Sequence, residues 1–401
     1  MPYYIGDVIR DEKRLIARTP EKFRETGIDV RIETRVEEID PQQRVVRLSG
    51  GVAIPYDILV LGTGTRALLP GIPGEELDAV FTLHKLTDAI QMKTYIREKH
   101  CRKAVVVGAG FISMEMCEAL RGIGLETQVV YRGPRPVKKW DPEFSKLILE
   151  ELGRHQVSML TNTETIAIEK GENSRLRLIT NQGEVETDLI LFALGLKPNT
   201  ELAEDMGLQL GKTGAIQVDS SQRTSGEGIY AVGDCCEVYH RISRRWVHLP
   251  LGDIANKQGR VAGRNIGSIP MTFPGVVGAQ SFKIFDMEVA ATGLDEREAT
   301  ASGYQAVSAI TWGNAIAGPL PEAKKLGIKL VADRSSGKLL GAQAVGEMGA
   351  VSRINTLSCA LWSGMDLDEI AYLDLAYSPF FGGAWDVIHL AAQALKKQLY
   401  Y

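Results

Sequence analysis

Gly108, Ala109 and Gly110 stand between a valine-rich run, Lys103 to Val107, and a segment with apolar residues at Phe111, Ile112, Met116, Leu120 and Ile123. Two glycines one residue apart at a strand-to-helix junction suit a diphosphate. The first permits a tight turn, the second removes the Cβ that would hold the backbone away, and the helix offers unpaired N–H groups and its positive end. The chemistry implied is dinucleotide binding, with Phe111, Ile112 and Glu115 expected beside the nucleotide in the first turns of that helix. Ser113 takes the place of a third glycine, where the requirement is close helix-to-strand packing and a small residue is tolerated. A tight turn without a ligand could use the same glycines, but the strand before and the strand after favour the nucleotide.

That later strand, Glu126 to Tyr131, lies about twenty residues on, where a site for NADH would place an acid against the ribose 2′-hydroxyl. No acid is there. Arg132, Arg135, Lys138 and Lys139 follow instead, a group suited to a 2′-phosphate, so NADPH is expected over NADH; a solvated basic loop is the plainer alternative. Asp141 and Pro142 then open the next helix, with Asp141 read as its cap.

Three further strands run into glycine turns: YDILVLGTGT (Tyr56 to Thr65), DLILFALGLKPN (Asp188 to Asn199) and GIYAVGDCCE (Gly228 to Glu237). One precedes the 108–110 unit, one closes it and one follows both, which suggests a nucleotide-binding domain interrupted by insertion of another. A chain of 401 residues supports two or three domains. Lys and Arg number 46 against 50 Asp and Glu, so no long-range field draws the chain to nucleic acid or an acidic membrane, and a small-molecule partner is expected. No apolar run is long enough for a membrane span and the first residues lack a signal-peptide profile, so the cytoplasm is expected. The five cysteines, Cys101, Cys117, Cys235, Cys236 and Cys359, form no CxxC pair, as in a reducing compartment.

The sequence resembles the pyridine nucleotide-disulfide oxidoreductase family, in its coenzyme A disulfide reductase, NADH oxidase and persulfide reductase branch. The likeness rests on LGTGTRALLPGIPG (Leu61 to Gly74), GAGFISMEM, ALGLKPN, GIYAVGDCCEV, ANKQGRVAGRNI (Ala255 to Ile266), GAQAVG (Gly341 to Gly346) and AYSPFFGGAWD (Ala376 to Asp386). It implies an α/β fold of two interleaved Rossmann-like, three-layer ββα nucleotide-binding domains and a C-terminal α+β dimerisation domain. The expected boundaries are 1–80 with 201–277 for FAD, 81–200 for NAD(P) and 278–401 for dimerisation. It further implies an FAD-dependent NAD(P)H oxidoreductase that forms a homodimer and serves a thiol, disulfide, persulfide or oxygen acceptor. By the same resemblance Asp234 meets the FAD ribityl chain, Gly233 allows the approach, and a helix starting near Ala255 points at the flavin. Thr63 and Gly64 lie beside FAD, Val36 meets its adenine, and Gly195 lines the NADPH path. Tyr377 crosses the dimer interface towards the partner's substrate site. Taken alone, Asp234 could equally cap a helix or close a turn, and Tyr377 could be core.

In the resembling enzymes a segment like PYYIG follows a redox cysteine and a complete first βαβ unit. MPYYIGD (Met1 to Asp7) matches only the downstream flank, so the first FAD motif and the cysteine are expected to lie upstream of Met1, and no catalytic residue is nominated. Ile58 to Val60 would then lack a neighbouring strand. Three accounts stay open: a start set too late, a fragment needing a second polypeptide, or a non-catalytic nucleotide-binding module. Cys235 and Cys236 flank Asp234 and are poor substitutes for the missing cysteine; Cys101, Cys117 and Cys359 read as small core residues, and His240 and His248 as isolated histidines.

Overall fold

The computed structural model describes residues 1–171 and 176–399, so the last two residues expected in the dimerisation domain lie outside the described residues. Two short helices, Pro2–Ile5 (α1) and Pro20–Arg24 (α2), each start on a proline, whose missing N–H costs nothing in a first turn. An antiparallel sheet of Val36–Asp40 (β1), Val45–Leu48 (β2) and Ala53–Pro55 (β3) follows, then Leu59–Leu61 (β4) and Thr65–Ala67 (β5). The central unit runs Val80–Thr82 (β6), Leu86–Glu98 (α3), Lys103–Val107 (β7), Phe111–Gly122 (α4), Glu126–Val130 (β8), Pro142–Arg154 (α5) and Ser158–Leu160 (β9). A three-stranded meander of Thr165–Glu169 (β10), Leu176–Thr180 (β11) and Gly183–Thr187 (β12) leads to Leu189–Phe192 (β13), which returns to the parallel sheet in the order β6-β13-β7-β8-β9.

Leu196–Pro198 (β14) then pairs antiparallel with β5. After the helix Glu201–Asp205 (α6), Ile229–Ala231 (β15) pairs parallel with β4. Segments before and after the central unit therefore join each other across it, which is the insertion expected from the order of the glycine turns. A hairpin of Val238–His240 (β16) and Arg245–Val247 (β17) precedes Gly252–Ile266 (α7), which begins one turn ahead of the expected Ala255. Among the described residues no strand pairs the free side of β4, where Ile58 and Val60 stay 42% and 43% exposed.

The last unit is an antiparallel sheet of Gln280–Ile284 (β18), Met287–Gly293 (β19), Ala306–Asn314 (β20), Lys325–Asp333 (β21) and Leu339–Gly346 (β22), ordered β18-β19-β22-β21-β20. The helices Glu296–Ala301 (α8), Ala350–Ser363 (α9), Leu367–Ala371 (α10) and Val387–Lys397 (α11) complete it. Strands β21 and β22 are buried almost throughout, because both sheet faces are covered. Ala342 and Ala344 pack with Leu357 and Ala391 of the unit's own helices. Val289, Ala291 and Val345 pack with Met116, Phe144 and Ile148 of the central unit.

That second contact is reinforced by polar links. The Trp140 indole N–H donates to the Ala290 carbonyl at 3.3 Å and its ring meets Phe282 edge-on at 5.4 Å. Asp141 starts α5, but its carboxylate makes no cap; it pairs with the nearly buried Lys329 at 3.0 Å. His240 sits in the core where β16 meets the C-terminal unit, accepting the Ser243 N–H at 3.2 Å. Burial first, and the Lys139 charge second, depress its pKa to about 4 from 6.5. The unfolded chain therefore binds the extra proton between those values, and stability falls with acidification, by up to about 3 kcal/mol from this group. Denaturant unfolding at pH 7.5 and 4.5 should show a smaller acid loss in His240→Asn than in wild type; equal losses would contradict the assignment.

Candidate functional site

Strands β7 and β13 lie side by side, and the chain leaves β7 towards β8 on the other flank, so their carboxyl ends open the crevice at a topological switch point. Gly108 occupies it with φ +117°, and a Cβ there would stand 2.4 Å from the Ala193 carbonyl oxygen; the fold itself demands glycine. Gly110 is different. Its φ of −82° suits any residue, and a Cβ there would meet nothing within 4 Å. The fold does not require this glycine, and the space it leaves lies at the N-terminus of α4. Ser113 is fully buried one turn in, its Oγ without a hydrogen-bond partner and 3.4 Å from the Cβ position on Gly108. An orphaned hydroxyl behind open backbone N–H groups fits a pyrophosphate and its attendant water.

Phe111, 39% exposed, projects from this turn into a cleft of about 240 Å³ shared with Leu251, Asp253, Gln280 and Phe282. The cleft thus joins the start of α4, the start of α7 and the C-terminal sheet. Ile112 packs on the core, and Glu115 is half-buried one turn along. Burial raises the Glu115 carboxyl pKa, partly opposed by the Met1 ammonium.

The basic loop divides. Arg132 and Lys138 are exposed, with no side-chain partner among the described residues. Arg135, in contrast, is held by the Trp140 carbonyl and by Ser145 Oγ at 2.9 Å. Lys139 is half-buried, its pKa lowered by burial and pulled back by Glu298 and Asp295. Arg135 is therefore spent within its own unit and Lys139 faces the acids of the C-terminal unit, which narrows the expected phosphate-binding group to Arg132 and Lys138.

A second cluster forms where β4 and β15 end. The Thr63 hydroxyl donates to the Asn199 carbonyl at 2.6 Å, the Asn199 amide returns a bond to the Thr63 carbonyl at 2.9 Å, and the Asn199 N–H reaches the Gly64 carbonyl at 3.0 Å. These bonds lock the two crossovers beside the turn. Gly233, at φ +79°, lets its turn settle on α7: a Cβ there would be 3.4 Å from the Ala255 methyl, and its N–H donates to Gln258 Oε1 at 2.9 Å. Asp234 follows, half-buried, its carboxylate without a partner among the described residues. Desolvation raises its pKa, partly offset by His248 and His84. An acceptor held open this way fits a hydroxyl-bearing ligand.

His248 and His84 were invisible as site residues. His248 Nε2 is 2.7 Å from the Asp234 carbonyl oxygen, and His84 Nε2 is 3.2 Å from Thr65 Oγ1. Neither spacing signals this, because the strand pairing brings them there. Gly195 lies where the second crossover begins, its carbonyl accepting the Leu68 N–H. Val36 opens β1 in the apolar cluster around Ile39, Leu61 and Ala231. Tyr377 is 59% exposed on the C-terminal unit, near the exposed Phe380 and Phe381, and is not brought into either cluster of its own chain. Cys235 and Cys236 are buried, each sulfur 3.3 Å from a backbone carbonyl. Burial pushes the Cys117 thiol up to about 12. Cys101 is half-buried, and Cys359, expected in the core, is exposed.

Among the described residues no helix is long and apolar enough to cross a membrane. Residues 5–259 match the model of pyridine nucleotide-disulphide oxidoreductases, and residues 279–387 match that family's dimerisation domain. The chain is 34% identical over 396 residues to a CoA-dependent NAD(P)H sulfur oxidoreductase of Pyrococcus furiosus, covering 98% of this chain and 89% of the relative. It is similar in structure to an NAD-dependent persulfide reductase of A. fulgidus, with a TM-score of 0.94, 37% identity, and 99% and 75% of the two chains covered. An engineered water-forming NADPH oxidase bound to NADPH gives a TM-score of 0.95 at 25% identity, with 100% and 89% covered; its substitutions remove an aspartate and add two arginines. A glycine turn at a switch point, a second cluster that gathers Thr63, Gly64, Gly233 and the unpaired Asp234, and both domain matches agree: the chain belongs to the pyridine nucleotide-disulphide oxidoreductase family.

Proposed function

We propose that the protein is an FAD-dependent oxidoreductase that draws reducing equivalents from NADPH and passes them to a small sulfur acceptor of the disulfide or persulfide class. The observation that carries this reading is Gly110, a glycine that the backbone does not need, at the N-terminus of a helix. The nicotinamide supplies a hydride and the flavin relays the electron pair; the protein supplies binding and electrostatics. Gly108, Gly110 and the first N–H groups of α4 hold a pyrophosphate, and Arg132 with Lys138 receive the 2′-phosphate. Thr63 and Gly64 would lie beside the flavin nucleotide, Asp234 would accept from ribityl hydroxyls, and the α7 N-terminus would favour negative charge on a reduced flavin. Phe111, exposed in the cleft between the starts of α4 and α7, would cover the entry to the bound nucleotides.

The sulfur acceptor follows from the named relatives, and the dimerisation match supports a homodimer. Within it we assign 1–80 and 201–277 to FAD, 81–200 to NAD(P)H and 278–401 to dimerisation, with Tyr377 bordering the partner's acceptor site and the enzyme working in the cytoplasm. NADPH consumption by the FAD-loaded protein should rise with polysulfide or a coenzyme A disulfide well above the rate in air. Turnover with oxygen alone would move the protein to the oxidase side of the family, and NADPH binding without turnover would make it a non-catalytic module.

Coenzyme choice has its own test. Arg132→Glu replaces a charge-assisted contact by repulsion, worth about 2 to 3 kcal/mol, and should lower kcat/KM for NADPH about 30- to 150-fold while leaving NADH within about threefold. Unchanged NADPH kinetics would remove the 2′-phosphate assignment.

A further inference from the structure

We propose that Glu151, His155 and Asp286 form a binding site for a zinc-class divalent cation that clamps the coenzyme-binding unit to the C-terminal sheet. Glu151 lies in the last turn of α5 and His155, four residues on, is the residue at its C-terminal cap, while Asp286 occupies the turn between β18 and β19. Their candidate ligand atoms all lie within 4.8 Å of one another. His155 Nε2 is 3.3 Å from Glu151 Oε1 and 3.6 Å from Asp286 Oδ2. A tetrahedral zinc ion with bonds of about 2.0 to 2.1 Å sets its ligands about 3.3 to 3.4 Å apart. Two edges of the ligand triangle thus already have close to the size of a zinc polyhedron.

The surroundings hold these groups in place. Glu151 is fully buried; its Oε1 also accepts the Asp286 N–H at 3.0 Å, which ties the turn to the helix. Its Oε2 makes no hydrogen bond, although the Arg154 guanidinium stands 2.6 Å away as an ion-pair partner. Arg154 would remain there as outer support for a ligating carboxylate. The His155 ring is stacked on Phe285, centroids 3.9 Å apart and planes 4° from parallel, so its orientation is set before any ion arrives. One nitrogen and two carboxylates, without a thiolate, suit Zn²⁺, Co²⁺ or Ni²⁺ better than Ca²⁺ or Mg²⁺, and leave a fourth position for water. The competing arrangement is a protonated His155 bridging two carboxylates, which needs no metal.

Chelator-treated full-length protein, titrated with Zn²⁺ at pH 7.5 and followed by calorimetry and by metal content after dialysis, separates the two. The site predicts one Zn²⁺ per chain, and weakening of at least about tenfold in both His155→Gln and Asp286→Asn. It also predicts a zinc-dependent rise in wild-type Tm that both variants lack. Asp286 is exposed and its backbone N–H is retained in the variant, so Asp286→Asn should keep the wild-type circular dichroism spectrum. Failure of the wild type to retain Zn²⁺, or equal uptake by Asp286→Asn, would overturn the site. Neither result touches the coenzyme turn, which lies elsewhere on the unit.

Discussion

Gly110→Asp is expected to raise the Kd for NADPH at least about 100-fold while leaving the protein as stable as wild type, or slightly more so. The two halves of this result have separate causes. The position has ordinary backbone angles and a new Cβ meets nothing within 4 Å, so folding bears no cost. An aspartate at the cap of α4 would satisfy a free N–H and favour the helix dipole. The same carboxylate would fill and repel the phosphate position. Gly108→Ala should behave in the opposite sense: φ +117° and a Cβ 2.4 Å from the Ala193 oxygen predict a stability loss of about 2 to 3 kcal/mol before binding is considered. Calorimetric titration of NADPH and thermal melts on both variants check the pair. Tight NADPH binding by Gly110→Asp would remove the turn from the site.

Asp234→Ala should release FAD, with flavin-to-protein ratio and flavin Kd as the readout, while the melting of the flavin-free protein stays close to wild type. Asp234 is half-buried, desolvated and without a partner among the described residues, so its removal breaks no protein contact and relieves a burial cost. What is lost is the acceptor for the ligand's hydroxyls, a charge-assisted bond at a half-buried position, and a loss of about 2 to 3 kcal/mol weakens flavin about 30- to 150-fold. Undiminished flavin retention would mean that Asp234 merely shapes its turn. His248 offers an internal comparison: it reaches the Asp234 backbone carbonyl and not the carboxylate, so His248→Ala should loosen flavin less than Asp234→Ala does.

The glycine turn was legible because its causes are local: five strand residues, two glycines and an apolar helical face sit in one stretch of chain. The insertion was legible from the order of three such stretches. Contacts made by tertiary folding were not. His248 meets the Asp234 turn only because the β16–β17 hairpin folds it back, and the basic loop gave no sign that Arg135 would serve Trp140 and Ser145 while Arg132 found no partner among the described residues. Asp141 shows the same limit: it has the type and place of a helix cap, yet Lys329, almost two hundred positions away, outcompetes the helix for its carboxylate. Cys359 was misplaced because an apolar helical pattern does not say which of its small residues faces water.

The most direct test of the account is anaerobic addition of one equivalent of NADPH to the FAD-loaded protein while the flavin absorbance near 450 nm is followed. Bleaching is predicted, complete within a turnover time in wild type and abolished in Gly110→Asp. An oxidised flavin that keeps its colour in wild type, with NADPH shown by calorimetry to occupy its site, would contradict the claim that the two sites form one path for electrons.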